Sequence, residues 1–239
     1  QDDPDLAHLL PIDPRSNQLF ERCGDGLVLA KLINASVPDT IDERVLNRGT
    51  KLNAFQAGEN NNLVINSAKG IGCSVVNIGS QDLVEGRPHL VLGLVWQLIK
   101  LGLFARISLQ YHPELYRLLE DGERLEDLLA LPAEALLLRW FNYHLKRAGW
   151  HRSVTNLSQD INDSENYIVL LNQLCPIECS LAGLKEPVLL KRAEGVLESA
   201  ERIGCRQYLT AKAIVQGNPK LNTAFLANLF NRYPGLEAL

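Results

Sequence analysis

The sequence predicts an all-α protein built from two copies of one unit. Three observations carry this. The chain repeats itself at long range, its apolar residues recur at helical spacing, and no alternating strand pattern with hairpin turns occurs. Residues 67–73 read SAKGIGC and residues 199–205 read SAERIGC, identical at five of seven positions. Residues 84–90, VEGRPHL, and 215–221, VQGNPKL, share Val, Gly, Pro and Leu. Upstream, Asp25, Leu32, Asn34 and Pro38 match Asp163, Leu170, Asn172 and Pro176 in register. Downstream, Leu94, Leu98 and Ile99 match Phe225, Leu229 and Phe230. A repeat of roughly 100 residues is domain-sized, not a solenoid period.

The elements follow in order. Asp25 precedes LVLAKLIN and Asp163 precedes ENYIVLLNQL, each as a helix-starting residue. Gly70 and Gly72 end a helix through ENNNLVINSAK, and Gly204 ends its partner through LLKRAEGVLESAERI. Pro88 opens a helix whose Leu90, Val91, Leu94, Val95, Leu98 and Ile99 share one side, because proline loses nothing at a first helical position. Gly102 is expected to terminate it. Pro219 opens the matching helix. Between the copies, HPELYRLLEDGERLEDLLAL has leucines at helical spacing and reads as a packed connector, not a Gly/Ser tether. The expected domains are 1–105 and 132–239, with a helical connector over 106–131.

Composition narrows the function. The chain has 239 residues, 46% hydrophobic and 22% charged, enough for two ordinary globular domains. Its net charge of -4 and pI near 5.8 argue against nucleic-acid binding, which needs a basic surface. The most apolar stretch, Leu90 to Ala105, is interrupted by Gln97 and Lys100 and is short of the roughly 20 residues a bilayer span requires. No membrane partner is expected. The acidic start has no signal-peptide character, and a chain opening on Gln with no Met reads as a fragment or processed product. Five cysteines with no CxxC pair fit reduced thiols in the cytoplasm.

Catalytic and ligand motifs fail on inspection. DINDSENYIVLL has Glu165 and Leu171 where a calcium loop needs Gly and Glu. CPIEC has two thiols, Cys175 and Cys179, without a matching pair for zinc. Neither GDGLVL nor GIGCSV completes a dinucleotide loop, and no phosphate-binding loop or nucleophile context occurs. No enzyme, cofactor or metal is expected.

GDGLVLAKLINASVPDTIDER, SAKGIGCSVVNIGSQDLVEGRPHLVLGLVWQLIKLGLF, LLLRWFNYHLKRAGW and NPKLNTAFLANLFNRYPGL together resemble the first actin-binding region of the fimbrin/plastin family. The resemblance covers essentially the whole chain. It implies two tandem calponin-homology domains, each a compact bundle of about four main helices, with actin filaments as partner and no catalysis. It also implies N-terminal EF-hands and a second actin-binding region elsewhere in the intact protein, a monomer, and a place in the cytoplasmic actin cytoskeleton. One departure stands out: the second unit has the family's long opening helix, from about Ala133 to Arg147, and the first unit starts at QDDPDL without one.

The resemblance assigns actin contact to three segments. In the helix from Pro88 these are Trp96, Gln97, Lys100 and Leu103. A neighbouring surface holds Glu59, Asn62, Asn66 and Lys69, which share one helix face, with Arg48 and Lys51 ahead of them. In the second unit the basic helix carries Arg139, Lys146 and Arg147, and there a structural role at a domain interface is the leading expectation. The alternative function is an autoinhibited regulatory module, gated by an interface that includes Trp140 or Trp150 and needing parts outside this chain to bind actin. Microtubule binding is a third reading available to the fold.

Overall fold

A computed structural model describes residues 2–238. Among them the regular structure is helical throughout, and the chain divides into two compact units, 1–102 and 103–239.

The first unit contains α1 (Gln18–Arg22), α2 (Leu27–Ser36), α3 (Ala54–Gly70), α4 (Ser80–Val84) and α5 (Pro88–Phe104), the last running across the division. α2 follows the left-handed Gly26, while the Asp25 carboxylate accepts from the Leu27 amide at 2.9 Å. A side chain at residue 26 would strike Asn60, so glycine is required there. α3 opens with a capping box between Asn53 and Gln56. Its end is turned by Gly72 in the left-handed region. The core joins Leu27, Leu29 and Ile33 of α2 to Val64 and Ala68 of α3 and to Val91, Leu94 and Leu98 of α5.

The second unit repeats this plan with one more long helix. It comprises α6 (Leu125–Leu129), α7 (Ala133–Arg147), α8 (Glu165–Leu174), α9 (Leu189–Arg202), α10 (Ala211–Val215) and α11 (Pro219–Arg232). α8 also follows a left-handed residue, Ser164, and Asp163 accepts from Glu165 as Asp25 does from Leu27. The four long helices α7, α8, α9 and α11 enclose Trp140, Phe141, Tyr167, Phe225 and Phe230. The first core buries no aromatic ring among the described residues, and residues 2–17 hold no counterpart of α7. Residues 106–131 are built into the second core through Ile107, Leu115, Leu118 and Leu128.

Gly102 does not end its helix. It lies inside α5, where an added Cβ would come 3.1 Å from the Ser36 Cα. Its smallness lets α5 approach α2, and the Ser36 hydroxyl donates to the Leu98 carbonyl at 2.8 Å across that contact. The matched Asn34 and Asn172 act alike, since each donates its side-chain amide to a backbone carbonyl seven residues on, Ile41 and Cys179. Asn34 is therefore part of the frame.

Candidate functional site

Two sides of α3 serve different ends. Ala57, Asn60, Asn61, Val64 and Ala68 face inward. Glu59, Asn62, Asn66 and Lys69 are all exposed on the opposite side, so helical spacing does gather them into one stripe. The stripe is anchored from beneath. The Asn60 side chain is fully buried and donates to the carbonyls of Asp25 and Asn47, both at 2.9 Å. Its oxygen accepts the Asn47 amide, and the Asn47 side chain reaches the Glu59 carboxylate at 3.0 Å. These bonds hold the 43–48 turn against α3.

That turn presents Arg48, which is exposed but engaged. Its guanidinium donates to the Glu43 carbonyl at 2.8 Å and pairs with Asp5 at 3.4 Å. Lys51 is exposed just before α3. Behind the turn, the Lys31 ammonium gathers Asp3 at 2.8 Å, Asp5 at 3.1 Å and Glu43 at 2.6 Å. The Lys31 contact holds the Asp3 and Glu43 carboxyls below the usual carboxylate range. The acidic N-terminal segment is thus pinned to α2.

On α5, Trp96, Gln97 and Lys100 are half-buried. Gln97 is committed within the first unit: its oxygen accepts the Ser74 amide at 2.7 Å and its nitrogen donates to the Ser74 carbonyl at 3.0 Å. It latches α5 to the turn that follows α3. Leu103 falls in the second unit, where its side chain packs on the core and its carbonyl accepts from Asn231 at 3.0 Å.

In the second unit Arg139 is half-buried and ion-paired with Glu123. Lys146 and Arg147 are exposed. Arg147 bonds the Tyr143 hydroxyl at 2.9 Å, lies over the Tyr143 ring and pairs with Glu237. Arg117, Arg139, Asn142, Tyr143 and Lys146 line a groove of about 570 Å³ whose rim includes Glu120 and Asp121. No sequence motif marks that groove, because Arg117 and Arg139 come from segments that only folding brings together.

Of the two gating candidates, Trp140 belongs to the second core and Trp150 packs beside it. Trp140 is wholly enclosed in the second core, packs edge-on against Phe230 and His144, and donates its indole N–H to the Pro234 carbonyl. Substituting it would test folding of that unit. Trp150 donates to the buried Asn166 at 2.8 Å and likewise serves the second unit's frame.

All five cysteines are unpaired and buried, and burial pushes the Cys23 thiol up to about 12 and the Cys179 thiol up to about 11. Asp163 and Glu165, from the rejected calcium loop, are held by Arg152 at 2.6 and 2.8 Å. Among the described residues no group of three or more His, Cys, Asp or Glu could hold a metal ion, and no helix is long and apolar enough to cross a membrane.

Comparison with known proteins places this arrangement. The calponin homology (CH) domain family matches twice, over residues 7–103 and 131–235. Fimbrin of Saccharomyces cerevisiae is 60% identical over 240 residues, covering 99% of this chain and 37% of its own length. Plastin-3 of Homo sapiens is 53% identical over 245 residues, covering 99% of this chain and 39% of its own. Among solved structures, the actin-crosslinking core of Schizosaccharomyces pombe fimbrin matches with a TM-score of 0.85 at 53% identity, over 99% of this chain and 48% of that one. The chain spans well under half the length of these curated relatives.

Proposed function

The chain belongs to the calponin homology domain family and carries two of its domains in tandem, and from that membership we propose that it is the actin-filament-binding module of an actin-bundling protein, acting without catalysis. The observation that carries the proposal is the match, over 99% of the chain, to the actin-crosslinking core of a fimbrin. We place the contact surface on the α3 stripe of Glu59, Asn62, Asn66 and Lys69, on Arg48 and Lys51 ahead of it, and on Trp96 and Lys100, while Leu103 packs on the second core. Gln97 contributes by holding α5 to the Ser74 turn. On the second unit, exposed Lys146 and Arg147 are the contact candidates, while Arg139 pairs with Glu123 and Arg147 also pairs with Glu237. The proposal includes a monomeric module in the cytoplasmic actin cytoskeleton, with calcium-binding EF-hands and a second actin-binding region elsewhere in the intact protein.

Co-sedimentation with actin filaments tests this. Saturable pelleting at high speed, with no bundling at low speed, is the expected result, because one binding region decorates filaments and two cross-link them. Absence of pelleting by a folded chain would overturn the proposal.

A further inference from the structure

Phe55 is 74% exposed. It occupies the first turn of α3, four residues before Glu59, and so heads the same stripe as Glu59, Asn62, Asn66 and Lys69. From Phe55 to Lys69 the stripe runs about 21 Å at 1.5 Å per residue. The fold gives no reason for an aromatic residue at this position. The capping box is supplied by Asn53 and Gln56, and the buried side of α3 by Ala57, Asn60, Asn61, Val64 and Ala68. Phenylalanine also forms helix less readily than many polar residues. The second unit makes the same point. In the register that aligns SAKGIGC with SAERIGC, the position equivalent to Phe55 is Pro187, and that unit folds to the same plan.

The surroundings define what would cover it. Arg48 and Lys51 are exposed in the segment leading into α3, and Lys69 closes the far end of the stripe. The acid of the stripe, Glu59, is engaged by Asn47. The surface therefore presents one large apolar ring with Lys51 ahead of it in the chain, along with Arg48, whose guanidinium also pairs with Asp5. That combination fits an apolar pocket rimmed by carboxylates, and buried aromatic anchors of this kind dominate the energetics of protein interfaces.

We infer that Phe55 is the apolar anchor of the filament contact, inserting into a pocket on actin while Arg48 and Lys51 meet its acidic rim. The inference rests on the filament-binding reading and goes further by naming the residue that carries most of the affinity of this face.

The experiment compares filament co-sedimentation of the whole chain with that of Phe55→Ala, alongside Val76→Ala. Val76 is 76% exposed but lies outside α3, in the turn before α4. Thermal unfolding of each is followed in parallel. The expected result is at least a tenfold loss of affinity for Phe55→Ala, an unchanged melting temperature, and wild-type binding by Val76→Ala. Wild-type binding by Phe55→Ala would overturn the anchor and leave the filament-binding reading standing. A fall in melting temperature that accounts for the lost binding would make Phe55 structural and also overturn it. If the unmutated chain does not bind filaments, the reading beneath the inference fails and the anchor falls with it.

Discussion

The side-chain amide of Asn60 donates to the backbone carbonyl of Asp25 at 2.9 Å, across thirty-five residues of chain. In the second unit Arg192 plays the equivalent part, donating to the Asp163 carbonyl at 3.1 Å while also pairing with Glu165. One backbone position is thus held by a neutral amide in one copy and by a cation in the other. Asn60→Leu would strand the Asp25 and Asn47 carbonyls and the Asn47 amide. A loss of about 3 kcal/mol is expected for the first unit, read from its urea midpoint. Exposed Asn62→Leu should change stability by less than about 0.5 kcal/mol.

Gly217 has a φ of 64°, and a Cβ there would lie 2.7 Å from the Ser158 carbonyl oxygen. Gly217→Ala should therefore cost about 2 kcal/mol or more, combining left-handed strain with a backbone clash. Gly195 sits within α9, with nothing within 4 Å of an added Cβ. Gly195→Ala should instead stabilise by about 0.5–1 kcal/mol. Melting temperatures moving in opposite directions would verify both.

His144 is buried, with its Nε2 3.2 Å from the Pro234 carbonyl. Burial disfavours its charged form and lowers its pKa; neighbouring Arg147 pushes the same way. The unfolded imidazole titrates near 6.5 and takes up its proton first as pH falls. The stability contributed by neutral His144 is therefore complete above about pH 6.5 and is lost as pH drops through the lowered folded value. Urea unfolding of the second unit should show this loss, and His144→Gln should flatten it.

Lys100→Glu should weaken filament binding about tenfold, or about 1.4 kcal/mol. Gln97→Ala should act differently, because both ends of that side chain hold Ser74. It should lower the melting temperature of the first unit before it alters affinity. Co-sedimentation and thermal unfolding of the two variants separate the roles. Unchanged binding by a folded Lys100→Glu protein would remove Lys100 from the contact surface.

Much of the fold was legible because it is written in local chemistry. Prolines open α5 and α11 where an N–H is dispensable, and Gly72 and Gly204 turn the chain where a left-handed residue is needed. That Glu59, Asn62, Asn66 and Lys69 share one side of α3 followed from their spacing, while their choice as a contact surface came from the family resemblance. What escaped depends on distant partners. Gly102 stands near a helix end, yet its size answers to Ser36 on another helix. Trp140 was a candidate for a gating interface, and only the fold shows it wholly enclosed in the second core. Phe55 sits among polar residues and belongs to no apolar period, so only its solvent exposure singles it out. The leucines of 106–131 promised packing, but which unit receives them is set by tertiary structure.

Burial of Ile107, Leu115, Leu118 and Leu128 also has a mechanical consequence. A Gly/Ser tether would behave as an entropic spring, lengthening smoothly under tension. Here, drawing out residues 106–131 requires pulling leucines from a close-packed interior into water. The segment should resist unravelling up to a threshold and then yield abruptly.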